Sequence, residues 1–555
     1  MLHKALFVVA VIAAECSGVA VSNASSDGPV VDLGYTLHKA KVNETGKYYS
    51  FNNIHYSEPL GQKHRFQPAV EPTTVSRTVN DGDSMSPQCP QAYPEWSLEN
   101  AAAMSNTTAE ELRDIRGYAP NSVEDCLLLD VVVPQAVYEK THAKSNCNGG
   151  TNGAPVLVWI HGGGYVFGQK ATDFYNPSGL IASSQLDGSD GIVYVALNYR
   201  MGLFGFLNEV DGVFPNVGLQ DQLLALQWIK KNIHLFGGNP DLVTVMGESA
   251  GGGSIIYHLT AEGGTKKAPF QRAISQSGAF TLDVDNKNVW NRVLNATHSI
   301  TGKTITTAAE LAQLDYETLN KINVETVFRS PESLYTFGPS VDGGYIAKPP
   351  AVLLHEGKFD YSVDIMAGHN SNETAFFVPP KLDTEEKFVP LIRRLLPHLK
   401  DSDLDYMLTD VYPPPAETDL YSNENARAAL LVAEMVFVCN TRYLGLAQGN
   451  NTYNYRFQVP PAAHADDVPY TFWHGKTEGV EHPELAVQMQ RYFTKFVKGG
   501  NPNDKGGETP LPEWPVYGDK ALINTFGPET VDGAVVDDAN NDRCAYWQKS
   551  EYLGY

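Results

Sequence analysis

Short apolar runs rich in β-branched residues recur along the chain and alternate with longer segments of helical periodicity. Short runs of this kind, bounded by turn-forming residues, are typical of buried strands in a parallel sheet. The predicted strands are residues 127–133, 156–160, 192–197, 242–246, 272–275, 363–368 and 453–459. Because strand and helix patterns alternate, the sequence favours an α/β fold with a large, mostly parallel central sheet flanked by helices.

Helical periodicity is clearest in residues 219–233, where leucines and Trp228 recur at a spacing of three and four. Two glycines and Pro240 follow soon afterwards and predict the end of that helix. Further helical segments are predicted at residues 101–113, across most of 284–436 and at 483–498. Aromatic and polar residues mix in 46–66, which predicts small edge strands.

The N-terminus has the pattern of a secretory signal. Lys4 provides a positive start, residues 5–14 are apolar, and Gly18 and Ala20 offer small residues for cleavage. We therefore expect residues 1–20 to be a signal peptide and residues 21–555 to form a single secreted domain. Six N-glycosylation sequons agree with that location: Asn23, Asn43, Asn106, Asn295, Asn372 and Asn450. No other stretch approaches the apolar length that spans a bilayer, so no stable membrane insertion is expected.

Composition narrows the classes of function. The formal net charge is −23, and a chain this acidic repels nucleic acids and anionic membrane surfaces, so neither is an expected partner. Of the six cysteines, Cys16 leaves with the signal, and the odd remainder leaves at least one unpaired within the chain. Because none of them forms a C-x-x-C pair, no metal site is expected.

The pentapeptide from Gly247 to Gly251 has the pattern G-x-S-x-G and lies between a predicted strand and a helical segment. An abrupt strand-to-helix turn brings backbones too close for a Cβ on either side of the turning residue. That residue, Ser249, is then exposed at the carboxyl edge of the sheet, with a helix N-terminus behind it. The pattern alone recurs by chance, but its position predicts that Ser249 is a nucleophile.

A serine nucleophile also needs backbone donors for the oxyanion that forms on the substrate. Consecutive glycines follow His161, directly after the predicted strand 156–160. We assign the N–H groups of Gly163 and Gly164 to this role, together with the N–H of Ala250 just past the nucleophile. The alternative is an ordinary glycine-rich turn.

The base and its orienting acid each have two candidates. His464 lies on a polar loop after the predicted strand 453–459, whereas His482 borders the last helix and is typical of a surface cap. Glu373 lies just beyond the predicted strand 363–368, where catalytic groups gather on such sheets. Its rival Asp342 precedes a glycine in a turn-like stretch. The residues by themselves leave both choices open.

Six longer stretches resemble the type-B carboxylesterase/lipase family, which includes the cholinesterases and larger fungal lipases. They are HGGGYVFG from His161, GESAGGGS from Gly247, SVEDCLLLDVVVP from Ser122, NYRMGLFGFL from Asn198, NVGLQDQLLALQWI from Asn216 and AISQSGA from Ala273. The likeness extends from about residue 46 to residue 547, and PAAHADDVPYTF is most similar to secreted fungal members. It implies an α/β-hydrolase fold and a secreted serine hydrolase that cleaves small-molecule carboxylic esters through an acyl-enzyme, without a cofactor or metal.

The resemblance also implies residue roles. The implied catalytic triad is Ser249, Glu373 and His464, in the chain order that this fold uses. The implied oxyanion donors are Gly163, Gly164 and Ala250. The implied disulfides are Cys89–Cys126 and Cys439–Cys544, with Cys147 unpaired. Glu124 and Arg200 match a structural ion pair of the family.

Two departures from the family pattern bear on specificity and glycosylation. Arg116 stands where cholinesterases have a tryptophan that stacks on choline, so choline esters are not the expected substrate. Asn372 is a sequon next to the proposed acid, and a glycan there is difficult to combine with a buried Glu373, so we expect it to be unmodified.

Two alternatives to a general carboxylesterase are a triacylglycerol lipase and a non-catalytic binding member of the same fold. A lipase needs a mobile lid, for which the Cys89–Cys126 segment, with Leu98, Leu112 and Ile115, is the candidate. A non-catalytic member would have lost the serine or the histidine, whereas Ser249 and His464 are both present.

Overall fold

The structure is a computed structural model of the chain. It describes residues 28–82, 86–104, 108, 121–143, 153–280, 285–379, 382–449, 452–477, 479–503, 510–528 and 531–549. Several predicted features lie outside these residues: the signal peptide, Leu112, Ile115, Arg116, Cys147, and the sequons Asn23, Asn106 and Asn450.

Two sheets occur in the described residues. The strands are β1 Val30–Asp32, β2 Leu37–Lys39, β3 Lys41–Asn43, β4 Tyr48–His55, β5 Val79–Asn80, β6 Leu128–Pro134, β7 Ala154–Ile160, β8 Val193–Leu197, β9 Gly238–Glu248, β10 Arg272–Gln276, β11 Asp364–Asn370, β12 Thr452–Phe457, β13 Leu522–Phe526 and β14 Val531–Val536. Eleven of them form one sheet in the order β14-β13-β12-β11-β10-β9-β7-β8-β6-β4-β3, and β1, β2 and β5 form a small second sheet.

The middle of the large sheet is parallel. Strands β13, β12, β11, β10, β9, β7 and β8 run in one direction, and antiparallel strands complete the sheet at both sides. The predicted mostly parallel sheet is therefore confirmed. In such a sheet the carboxyl ends of the parallel strands share one edge, which is where ligands bind.

Helices cover both faces of the sheet. The α-helices are Glu95–Met104, Gln135–Ala143, Ser178–Ser184, Gly202–Phe206, Val217–Asn232, Ala250–Leu259, Ala261–Gly264, Asn286–Thr301, Ala308–Ala312, Tyr316–Phe328, Pro350–His355, Glu385–Leu395, Asp401–Tyr406, Glu424–Ala433, Cys439–Gln448, Asp467–Thr471, Pro483–Gly499 and Asp542–Lys549. Shorter 3-10 turns are Gln62–His64, Asp173–Tyr175, Ile233–Phe236 and Pro415–Glu417, and π-helical turns are Met407–Val411 and Glu434–Val438.

Strand β7 shows why the molecule has a core on each face. Val156, Val158 and Ile160 pack into one apolar cluster, and Leu157 and Trp159 pack into another. Successive strand side chains point to opposite faces, so a strand buried on both faces must be apolar at every position. This is why the sequence has continuous apolar runs here rather than an alternating pattern.

Two local expectations need correction. The helix predicted from residue 101 begins earlier, at Glu95, and its described part ends at Met104. The segment predicted as small edge strands contains the eight-residue strand β4, which is paired on both sides with β3 and β6. Because aromatic and polar residues are mixed in this segment, its sequence did not indicate an interior strand.

A continuous helical run from Glu424 to Gln448 is long and apolar enough to cross a membrane by length and composition alone, and 61% of its most apolar window is buried inside the protein. The expectation that no later stretch has such a length was wrong for this segment. Its Met435 and Phe437 belong to the protein core.

The two disulfides implied by the family resemblance, Cys89–Cys126 and Cys439–Cys544, are present. The implied ion pair is not. Glu124 binds Arg65 through two hydrogen bonds, with Nε to Oε1 at 2.5 Å, whereas Arg200 binds the buried Asp221 with Nη2 to Oδ1 at 2.7 Å. Arg65 and Arg200 also donate to backbone carbonyls, so each ion pair connects loops. Glu124 and Arg200 therefore have structural roles, but each has a partner other than the one that the resemblance implies.

Candidate active site

Ser249 occupies a tight turn between strand β9 and the helix Ala250–Leu259. Its backbone has φ 56° and ψ −121°, a region that L-residues avoid. A Cβ on Gly251 would lie 2.1 Å from the Ile160 carbonyl oxygen, and one on Gly247 would lie 2.6 Å from the Gly251 carbonyl carbon. Glycine is therefore required on both sides, as the sequence pattern predicts.

Neighbouring strands hold this strained turn in place. The N–H of Ser249 donates to the Gln276 carbonyl at 2.9 Å, and the Ser249 carbonyl accepts from the N–H of Ala279 at 3.0 Å. The serine is 9% exposed, and that exposed part lines a cavity. The fold thus presents one hydroxyl to a binding space while its backbone stays fixed.

The glycine-rich turn after β7 lies beside the serine. A Cβ on Gly162 would be 3.1 Å from the Ser249 Cβ. Gly163 and Gly164 both have positive φ, at 106° and 58°. Within the described ranges, no atom accepts a hydrogen bond from the N–H of Gly163, Gly164 or Ala250, so these donors are free.

His464 and Glu373 are joined by a short hydrogen bond from Nδ1 to Oε2 of 2.6 Å. Glu373 is 1% exposed, and its other oxygen accepts from the Ser277 hydroxyl at 2.7 Å and from the Asn370 N–H at 2.6 Å. The loops that carry the pair are themselves linked, since the Asn372 N–H donates to the Ala462 carbonyl. Both oxygens of the Glu373 carboxylate thus have hydrogen-bond partners, and the bond to Nδ1 fixes one tautomer of the His464 imidazole.

The rival residues have structural roles. Asp342 accepts hydrogen bonds from the N–H groups of Gly344 and Ile346 and from the Asn216 amide, which makes it a turn residue. His482 is the N-cap residue of the helix Pro483–Gly499. Glu373 and His464 are therefore the acid and histidine that the fold brings together.

The second nitrogen of His464 faces a carboxylate that the sequence analysis did not consider. Nε2 lies 3.1 Å from Oε1 of Glu248, but the two are not aligned for hydrogen bonding, and neither atom has a hydrogen-bond partner in the part of the chain described. Glu248 directly precedes Ser249, so this nitrogen is aimed at the residue next to the nucleophile.

Burial and charge act in opposite directions on this histidine. Burial alone would lower the pKa of His464, but the carboxylates of Glu248 and Glu373 outweigh it and raise the pKa. Burial also raises the pKa of Glu248, an effect that the nearby imidazole partly offsets. The protonation of His464 is therefore coupled to the protonation of Glu248.

A third buried acid adjoins the site. Asp467 accepts from the Tyr455 hydroxyl at 2.6 Å and from the Gln276 amide at 3.0 Å, and burial raises its pKa. Rings of Phe377 and Phe437 pack on His464 at centroid distances of 5.1 and 4.3 Å. Sequence reasoning missed Glu248 and Asp467, although each lies in a motif that it had singled out.

A mainly apolar cavity of about 320 Å³ opens on the serine. Ser249, Gly164 and Ala250 line one end, and aromatic and aliphatic side chains such as Tyr335 and Phe437 line much of the rest. Its volume is at the lower end of those that bind small molecules.

Residues 34–547 match the family described as "Carboxylesterase family". The chain belongs to the carboxylesterase family. It is a carboxylic ester hydrolase with an α/β-hydrolase fold, as the resemblance of its motifs predicts.

Individual relatives agree with the family assignment. The chain is 36% identical to "Carboxylesterase patB" of Aspergillus clavatus over 96% of this chain and 98% of that protein. It is 27% identical to "Inactive carboxylesterase-like protein VdtD" of Byssochlamys spectabilis over 90% of this chain and 91% of that one. The crystal structure of Aspergillus niger EstA superposes with a TM-score of 0.77 at 23% identity, covering 94% of this chain and 98% of that one. That likeness concerns the fold.

Proposed function

We propose that this carboxylesterase works through a Ser249–His464–Glu373 triad and an acyl-enzyme. The observation that carries the proposal is the 2.6 Å hydrogen bond between His464 Nδ1 and Glu373 Oε2, beside a serine on a strained turn. That bond places the Nδ1 proton toward the carboxylate and leaves Nε2 free to accept one, which is the tautomer that a general base needs.

In the first half-reaction, His464 Nε2 takes the Ser249 proton as the hydroxyl oxygen attacks the acyl carbon. The negative charge on the carbonyl oxygen is bound by the N–H groups of Gly163, Gly164 and Ala250, which have no other acceptor among the described residues. The imidazolium then protonates the departing alcohol. In the second half-reaction, water attacks the acyl-enzyme by the same sequence and releases the acid.

The proposal requires one movement. His464 Nε2 faces Glu248 rather than the Ser249 hydroxyl, so the imidazole must rotate while keeping its bond to Glu373. Glu248 directly precedes Ser249 in the sequence, and catalytic hydrogen bonds commonly tighten only when substrate binds.

The cavity bears on the substrate class. Its apolar lining next to Ser249 suits an ester with an apolar acyl or alcohol part of moderate size. A triacylglycerol lipase is the second candidate, supported by that same lining, and part of its candidate lid, including residues 109–120, falls outside the described residues. Hydrolysis rates for p-nitrophenyl esters from acetate to palmitate separate the two, since a lipase prefers the long chains.

Secretion is part of the proposal. It is supported by the two disulfides, which form in oxidising compartments. Removal of residues 1–20 and a single domain over residues 21–555 stay predictions. Sequencing the N-terminus of protein from the culture medium tests the cleavage site.

Fluorophosphonate labelling tests the mechanism. The reagent should attach to Ser249 of the wild-type protein, as located by peptide mass spectrometry, and the Ser249→Ala variant should not be labelled. The His464→Ala variant should react far more slowly because the hydroxyl has lost its base. A folded wild-type protein that is not labelled would be a non-catalytic member of the family.

A further inference from the structure

Positive charge is concentrated in the cavity that contains Ser249. Arg292, from the helix Asn286–Thr301, lines it together with Arg393 and Arg394, from the helix Glu385–Leu395. The chain as a whole has a net charge of −23. Three guanidinium groups thus line one mainly apolar cavity in an otherwise acidic protein.

Two of these arginines, Arg292 and Arg394, have N–H groups that donate to no acceptor among the described residues. Arg292 donates from Nη1 to the Arg329 carbonyl at 3.1 Å, and no carboxylate in the described part of the chain pairs with it. Arg394 pairs with Glu332 at 3.3 Å, but its Nε is buried and has no acceptor among the same residues. A guanidinium has five N–H donors, so both can bind a further anion.

The third arginine is already committed. Arg393 donates to the Leu399 carbonyl and to the carboxylate of Asp401. The acidic side chain on the cavity wall, Asp285, accepts from the Asn288 N–H and caps the helix that carries Arg292. Arg292 has no carboxylate partner among the described residues, and Arg394 is paired with Glu332 but keeps an unpaired Nε. Asp285 and Glu332 are the acids that oppose these two cations.

The chain itself limits how far these cations lie from the reacting centre. Tyr335 packs on the oxyanion turn, since a Cβ on Gly164 would be 2.8 Å from its ring. Glu332, the partner of Arg394, is only three residues away along the chain, so the Cα atoms of Tyr335 and Glu332 lie at most roughly 10 Å apart. The lining between them includes Leu334 and Phe337 and is apolar.

We propose that the natural substrate is an ester that carries a carboxylate separated from its scissile carbonyl by an apolar spacer, bound by Arg292 and Arg394. This inference rests on the proposed function, because it places the reacting carbonyl at Ser249. An apolar spacer fits the apolar wall, and a carboxylate matches the planar fork of an arginine through two parallel hydrogen bonds.

Paired substrates that differ only in charge test the proposal. One pair is the p-nitrophenyl monoester of suberic acid and the same ester of suberic acid monoamide, in which the acyl part carries the distal group. The other pair is the acetate ester of ω-hydroxyoctanoate and that of its amide, in which the alcohol part carries it. In at least one pair the wild-type kcat/KM should be about tenfold or more higher for the carboxylate.

Four variants assign the preference to residues. Arg292→Gln and Arg394→Gln should each reduce the ratio of carboxylate to amide kcat/KM several-fold, because the neutral amide forms no ion pair with either guanidinium. Glu332→Gln should increase the ratio, because it releases Arg394 from its acidic partner. Lys303→Gln removes one charge just beyond the far end of the Arg292 helix and should leave the ratio unaltered.

The outcomes separate this inference from the proposed function. Hydrolysis that depends on Ser249 but shows no carboxylate preference in either pair overturns the inference and leaves the triad intact. A preference that survives both arginine variants overturns the assignment to Arg292 and Arg394. If no ester is hydrolysed, the proposed function fails, and calorimetric titration of the Ser249→Ala variant with the same pairs still decides whether the cavity binds the carboxylate more tightly.

Discussion

Oε1 of Glu248 lies 3.1 Å from Nε2 of His464, the nitrogen that takes the proton of Ser249 in the proposed mechanism. Glu248 directly precedes Ser249 in the sequence. When Glu248 is ionised it stabilises the imidazolium, which cannot act as a base. This carboxylate therefore links the protonation of the site to its ability to start the reaction.

Replacing Glu248 by glutamine should extend activity to lower pH. Its carboxylate is one of the charges that raise the pKa of His464, so its removal lowers that pKa and leaves Nε2 unprotonated in more acidic solution. We expect the acid limb of the kcat/KM profile to move down by about one unit. The exposed Glu317→Gln variant is the control, and an acid limb that stays in place or moves upward contradicts the role given to Glu248.

Replacing Glu373 by glutamine should reduce kcat by a factor of about 1,000 or more. Glutamine keeps an oxygen for Ser277 and Asn370 but offers an amide N–H to His464 Nδ1, which imposes the wrong tautomer. The thermal midpoint should change little in comparison. Asp342→Asn alters the rival acid and should keep its rate, and a comparable loss there would reverse the assignment.

Ser249→Gly and Ser249→Ala should both be inactive but differ in stability. At φ 56° and ψ −121° a Cβ is strained, and glycine is not, so the glycine variant should be more stable by about 1 kcal/mol. Thermal unfolding of the two variants side by side measures the difference. Equal midpoints would mean that the turn relaxes around alanine.

Gly251→Ala should prevent normal folding or cost about 3 kcal/mol or more. The added Cβ would lie 2.1 Å from the Ile160 carbonyl oxygen, and both are backbone positions that cannot move apart easily. Gly61→Ala is the matched control, because a Cβ there meets nothing within 4 Å. The yield and the unfolding midpoint of the secreted protein report the result, and a wild-type midpoint for Gly251→Ala would contradict the predicted close contact.

The sequon at Asn372 should carry no glycan. Its side-chain amide donates to the Pro461 carbonyl and its N–H donates to Ala462, in the loop contact that positions Glu373 and His464. A glycan would have to be accommodated in that contact. Glycopeptide mass spectrometry checks this, with Asn295, which is exposed like Asn372 but lies on a helix, as the comparison sequon. An occupied Asn372 in active protein would contradict the prediction.

The sequence determined the elements and the nucleophile turn, because these depend on local rules. Apolar runs specified strands such as β7, and paired glycines around Ser249 specified a turn in which no Cβ fits. The tertiary structure brought His464 and Glu373, rather than His482 or Asp342, into contact, since that contact joins loops about ninety residues apart. It also placed Glu248 opposite His464 and gathered Arg292 and Arg394 in one cavity, because side chains from separate helices meet only when the sheet has brought those helices together.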